Sequence, residues 1–221
     1  MSAFLLGVLS SLLATALVCV AGWIRSGRPR WWLVRALARL TGTGIVRLYR
    51  QQRSAEQDMA RDLARARWVK VLTGRGNTLT RDAFAPLWSD TAGRSVPVQI
   101  LMPEPCSEPE SWLTRREEEL ARTDPGLIRG MLNKQIRANT GYLTRVAQQR
   151  PAIELRTFDL PNTFRVVATD RAAYLTFYGR YTHGRHSPCL YVRAPGVLYE
   201  AALDLFTTVW AGSTPTSGTG V

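Results

Sequence analysis

Thr163, Arg165 and Asp170 stand in one short segment at the spacing T-x-R-x4-D. A guanidinium two residues from a hydroxyl is suited to holding a phosphate or similar oxyanion, because it donates parallel hydrogen bonds to such groups. It is not suited to attacking one. A threonine hydroxyl becomes a nucleophile only beside an activating base, and the segment supplies none. Three further groups have chemistry-bearing types. The two histidines, His183 and His186, lie at H-x2-H with Cys189 three residues on, a spacing that can serve metal binding. No fourth ligand suggests itself, and Gly184 and Arg185 make this stretch read as a loop, exposed or lining a cleft. Glu117, Glu118 and Glu119 are consecutive, so they do not share a helix face and read as a solvated stretch. Gly74-Arg75-Gly76-Asn77 follows one apolar alternation and precedes a capped helical pattern, a place where backbone N–H groups bind phosphate. It is neither a Walker nor a dinucleotide signature. Arg75, Asn77, Arg165 and Arg185 are the candidate ligand-binding residues, and no cofactor is implied.

The triplet resembles the H-x-K-x4-D signature of the phospholipase D superfamily, with Thr163 in place of the His and Arg165 in place of the Lys. In that family the His attacks a phosphodiester phosphorus, the Lys neutralises the phosphoryl oxygens and the Asp orients the His. The resemblance extends from the alternation at Val69 to the closing Leu205-Phe206-Thr-Thr-Val-Trp210 element. It implies an α/β domain, a mixed sheet flanked by helices, with the motif on a hairpin. It also implies that catalysis has been lost. The nucleophile is absent at Thr163, and the Gly-Ser pair expected after the second strand is Thr176-Phe177. Members with one motif per chain often pair, so the resemblance suggests a homo-oligomer.

The elements that must position these residues are legible as periodicities. Trp68–Thr73 and Val96–Met102 alternate as strands, with a short helix over Thr80–Asp90 between them. Ser111–Leu120 and a second stretch ending near Gln149 are helical, interrupted by Asp124-Pro125-Gly126. Strands follow at Ile153–Phe158, Phe164–Thr169, Ala173–Tyr178 and Cys189–Arg193, with Asp170-Arg171 as a hairpin turn. A helix over Gly196–Trp210 closes the domain, placed at residues 64–212, and residues 213–221 read as a disordered tail.

Ahead of this domain the chain changes character. Ala3–Ile24 is a run of 22 uncharged residues, enough as a helix to cross a hydrocarbon core of about 30 Å. No basic residue precedes the run, which argues against a signal peptide, so residues 1–24 are read as an anchor. Trp23, Arg25, Arg28, Arg30, Trp31, Trp32, Arg35 and Arg39 follow at the depth of the lipid headgroups, where tryptophan and arginine engage anionic lipids. Residues 25–63 read as basic interfacial and juxtamembrane helices. Between Arg25 and Arg75 thirteen basic residues face three acids, most of the chain's net charge of +12. Positive flanks stay inside, so the expected topology is single-pass in the inner membrane, N-terminus out and C-terminal domain cytoplasmic. Three scattered cysteines (Cys19, Cys106, Cys189) give no disulfide framework, which fits a reducing compartment.

The leading expectation is a membrane-anchored cytoplasmic pseudoenzyme, a sensor or interaction module in bacterial signalling or defence that binds a phosphate-bearing ligand such as a nucleotide or nucleic-acid end. One alternative is a divergent phosphodiesterase or nuclease using His183 or His186. Another is a structural adaptor binding a protein partner that the sequence does not identify.

Overall fold

The computed structural model describes residues 15, 18, 22, 36–80, 84–88, 95–106, 108, 110–161, 163–180 and 183–216. The expected anchor and the interfacial residues Trp23, Arg25, Arg28, Arg30, Trp31, Trp32 and Arg35 lie outside this set, apart from helical Thr15, Val18 and Gly22. Among the described residues no helix is long and apolar enough to cross a membrane. Arg39 sits exposed on a helical turn over residues 36–40.

One mixed sheet of eight strands organises the chain: β1 (Ile45–Tyr49), β2 (Val69–Leu72), β3 (Val98–Pro103), β4 (Ile153–Phe158), β5 (Phe164–Thr169), β6 (Ala172–Phe177), β7 (Cys189–Arg193) and β8 (Thr214–Pro215). Their spatial order is β1-β7-β6-β5-β2-β3-β4-β8. β2, β3 and β4 run parallel. β5 turns back antiparallel against β2, and β6, β7 and β1 continue antiparallel from it.

Helices cover both faces because the strands alternate two apolar sets. Val69, Val71, Ile100, Val167 and Tyr174 face α1 (Glu56–Ala64), the short α2 (Ala85–Trp88), α3 (Trp112–Ala121) and α4 (Met131–Gln149). Leu72, Leu101, Val166, Ala168 and Val192 face α5 (Val197–Ala211), which contributes Tyr199, Ala202 and Phe206. Period-2 side-chain alternation permits this two-faced burial.

Two stretches depart from the sequence reading. Ile45–Tyr49 was expected within a juxtamembrane helix but is an edge strand paired with β7. Cross-strand pairing overrides local composition here. Tyr49 turns inward and its hydroxyl meets Asp58 of α1. That helix is itself part of the domain: it buries Met59 and Leu63, and Asp62 accepts from Tyr174 Oη at 2.6 Å. At the other end Thr214–Pro215, expected in a disordered tail, forms β8 against Arg156 and Thr157. Residues 217–221 lie outside the described set.

Glu117 is the second kind of departure. It was expected in solvent but is 6% exposed, and its two oxygens accept from the backbone N–H groups of Gly130 and Leu132, both at 2.6 Å. Those amides open α4, whose first-turn donors have no partner within the helix. A carboxylate there satisfies them and meets the positive end of the helix dipole. Glu117→Ala is expected to lower unfolding stability by about 2 kcal/mol, the cost of orphaned buried donors. Denaturant titration of the variant tests this, with unchanged stability counting against the capping role.

Candidate functional site

The reversal between β2 and β5 decides where a site can lie. The carboxyl ends of β2 and β3 point the same way, and the amino end of β5 and the carboxyl end of β6 meet them there. Open α/β sheets bind ligands outside strand carboxyl ends where the strand order changes direction. A cavity of about 470 Å³ occupies that place. Its walls include the loop Thr73–Thr78, Arg116 of α3, Asp124, Arg165, Tyr178, and His183 with Arg185.

Arg165 is the deepest charge in it. It projects from β5 to the face that carries Val167, is 4% exposed, and its Nε and Nη2 have no hydrogen-bond partner among the described residues. Its guanidinium carbon lies 5.9 Å from the centre of the Phe84 ring. Across the sheet it is in register with Thr176, which is in register with Cys189, so a buried row Arg165–Thr176–Cys189 crosses three strands. Burial holds the Arg165 pKa below the ordinary value, while Tyr178, Cys189 and Glu56 act in the other direction. Burial also pushes the Cys189 thiol up, which makes it a structural rather than a reactive sulfur.

Arg75 enters from the loop after β2. Its Nη1 donates to Gln135 Oε1 at 3.3 Å and its Nη2 to His183 Nδ1. Asn139 of α4 fixes the loop by donating to the Arg75 carbonyl at 2.7 Å and to Asn77 Oδ1 at 2.6 Å. Gly76 completes the turn at φ +76°, where other residues are strained and a Cβ would meet Met102. Burial lowers the Arg75 pKa.

The contact with Arg75 settles the tautomer of His183. A guanidinium only donates, so Nδ1 accepts, and the proton sits on Nε2, which faces Asp124 Oδ2 at 2.8 Å. Burial, with the charges of Arg75 and Arg185, holds the His183 pKa below its usual value despite the opposing carboxylate. The hydrogen bond from His183 in turn lowers that of Asp124.

The residues singled out from the sequence therefore separate. Arg75, Asn77, Arg165, Arg185 and His183 line one cavity. Thr163 is exposed at the lip and is not part of the lining; its carbonyl accepts from Tyr178 N at 2.8 Å. Asp170 lies at the other end of β5, about 17 Å from Arg165 at strand rise. There it accepts from Arg67 N at 2.8 Å and pairs with Arg67 and Arg171 at 3.9 and 3.5 Å. His183, His186 and Cys189 do not assemble as metal ligands: His186 is exposed and its Nε2 accepts from Arg185 at 3.1 Å, whereas Cys189 is buried in the strand row. No group of three or more metal-ligating side chains occurs among the described residues.

Sequence reasoning missed Asp124, Tyr178, Arg116, Gln52 and Glu56. Asp124 sat in a helix break and read as a stop signal. Nothing local could bring it to a histidine 59 positions away. Arg116 follows α3 into the cavity wall, where its Nη2 donates to the Gly179 carbonyl at 2.9 Å.

No protein-family model matches the sequence, and none of the curated proteins does. Solved structures do show likeness in fold. Nuc from Salmonella typhimurium, a phospholipase D family member, is 13% identical over 74% of this chain and 91% of that one, at a TM-score of 0.47. NucT from Helicobacter pylori is 15% identical over 76% and 97%, at 0.45. TrmBL2, an archaeal chromatin protein, is 13% identical over 94% and 69%, at 0.43. The likeness is one of fold alone, and what the cavity can bind rests on its own side chains.

An unpaired buried guanidinium destabilises the empty fold. Arg165→Met keeps the volume and removes the charge, so it is expected to raise unfolding stability by about 1–3 kcal/mol in ligand-free buffer. A calorimetric scan in a buffer without polyvalent anions decides this; a clear drop in stability would show that the charge is already satisfied within the fold.

Proposed function

We propose that this chain is a membrane-anchored, non-catalytic sensor or interaction module that binds a phosphate-bearing ligand at Arg165. Its domain is a phospholipase D-like fold with a degenerate motif, held on the cytoplasmic side of the inner membrane and working as a homo-oligomer. The single observation that carries this reading is the burial of Arg165 with Nε and Nη2 unpartnered beside the cavity. Native folds leave buried donors unpaired rarely, and a guanidinium so placed is complementary to an oxyanion. Arg75, Arg116 and Arg185 add positive charge to the walls against Glu56 and Asp124. The non-catalytic part of this reading is supported by Thr163, which is not part of the cavity lining, and by His183, whose Nδ1 is engaged by Arg75.

One observation favours a second reading. The Asp124 carboxylate orients His183 through Nε2, as a carboxylate orients a catalytic imidazole. If a ligand phosphate draws Arg75 away, Nδ1 is released toward the cavity as a base or nucleophile on a phosphodiester.

Titration calorimetry of the full chain in detergent with pyrophosphate and with a nucleoside monophosphate tests the first reading. Binding is expected, and Arg165→Met is expected to weaken it about 10–100-fold, the worth of charge-assisted hydrogen bonds. Equal binding by the variant would remove Arg165 from the site. Turnover of a nitrophenyl phosphodiester or of single-stranded DNA that vanishes in His183→Asn would replace the first reading with the second.

The pH dependence has a defined sign. A bound anion favours protonated His183, so anion binding takes up a proton and tightens as pH falls. As pH falls the tightening starts at the pKa of the anion-bound state and levels off below that of the anion-free site, which burial and the charges of Arg75 and Arg185 hold under the usual histidine value of about 6.5. Sulfate, dianionic throughout, is the probe. Its affinity is expected to rise between pH 7 and 5 in the native chain and to stay flat in His183→Asn.

A further inference from the structure

The end of the sheet opposite the cavity carries a different surface. The helical turn over residues 36–40 leads into Gly42 and Gly44, whose carbonyls accept from Val197 N and Arg193 N, both at 2.9 Å. Gly44 lies so close to the end of β7 that a Cβ there would stand 2.6 Å from the Arg193 carbonyl. The entry of the chain into the domain is thus pinned to one end of β7 and to the start of α5. Three large apolar side chains project at that end: Leu37, Leu40 and Val197, exposed by 63%, 85% and 66%. The same end of the sheet carries Arg39, Arg65, Arg67, Arg171 and Arg193, all exposed, with Arg193 Nε donating to Tyr191 Oη at 3.0 Å. Asp62 acts on Arg193, and Asp170 is largely covered by Arg67 and Arg171.

Exposed apolar side chains at an arginine-rich end of a sheet are poorly suited to water and well suited to the headgroup region of a negatively charged bilayer. The sequence before residue 36 points the same way, since it holds the 22-residue apolar run and its basic flank.

We propose that this sheet end is a membrane-docking face for an anionic bilayer, which turns the phosphate cavity away from the lipid. Arg165 and Asp170 mark the two ends of β5, so the cavity stands about 17 Å above the docked face. That exceeds the Debye length of about 8 Å at physiological salt. A lipid headgroup in the docked leaflet cannot reach Arg165. The ligand class is therefore a soluble phosphate compound from the aqueous side, which deepens the function proposed above and rests on it.

The full chain is reconstituted into nanodiscs of phosphatidylcholine alone or mixed with phosphatidylglycerol, and amide hydrogen exchange is followed. Residues 36–44 and 196–200 are expected to gain protection in the anionic discs, while residues 74–78 and 183–187 exchange equally in both. Arg171→Glu and, separately, Arg193→Glu are each expected to cut the anionic-lipid-dependent protection about fivefold. Added pyrophosphate is expected to protect residues 74–78 equally in both discs. Protection of 74–78 by phosphatidylglycerol itself would overturn the orientation, as would unchanged exchange at 36–44. Failure of the anchor is distinguished because the chain would then not copurify with discs of either kind. Failure of the phosphate site is distinguished because pyrophosphate would protect nothing while the lipid response at 36–44 persisted.

Discussion

The burial of the Arg165 guanidinium is the constraint on which the rest of this structure turns. Removing such a charge from water costs several kcal/mol even after relaxation, and a fold recovers that only by pairing it. Here the pairing is incomplete. Phe84 lies under the group, and Glu56, Tyr178 and Cys189 favour its charged form, yet two of its nitrogens have no partner. A structural arginine would be answered by a carboxylate at bonding distance. The proposed ligand would supply that answer from the cavity that Arg165 lines.

The sheet makes that arrangement possible by reversing at β5. Three parallel strands carry the loop Thr73–Thr78 to one end of the molecule, and the antiparallel hairpin brings Arg165 and Tyr178 to the same end. Asn139 then holds the loop from α4, so Arg75 reaches His183 and orders the His183–Asp124 pair. The amino end of α4 is itself secured by Glu117 from α3. Each step transmits the position of a helix to a side chain of the cavity, and each rests on a hydrogen bond between segments far apart in sequence.

That last property explains what the sequence disclosed. Strands β4, β5 and β7 and the long helices declare themselves through local periodicity, and Asp170-Arg171 declares its turn. Arg75, Asn77, Arg165 and Arg185 were expected to converge because they stand at strand ends and in adjoining loops, and they do share the cavity. What stayed hidden was set by distant partners. Ile45–Tyr49 is a strand only because β7 offers an edge, and Glu117 is buried only because α4 begins against it. His183 read as part of a loop, exposed or lining a cleft, and its sequence neighbours do not disclose that Asp124 and Arg75 take its two nitrogens.

The motif that first drew attention divides along the same physical line. Asp170 serves the hairpin: it accepts the Arg67 amide and faces two exposed arginines at the end remote from the cavity. That role is independent of any chemistry at the other end of the strand. Arg165 lines the cavity, where its buried charge is costly. Position 163 serves neither, because its side chain lies exposed at the lip and asks only for a backbone carbonyl that Tyr178 N can reach. A sequence under demand for nucleophilic attack would need its histidine at that position and a free imidazole edge. A sequence under demand for binding needs only the buried cation, which is the demand that the proposed function places on Arg165.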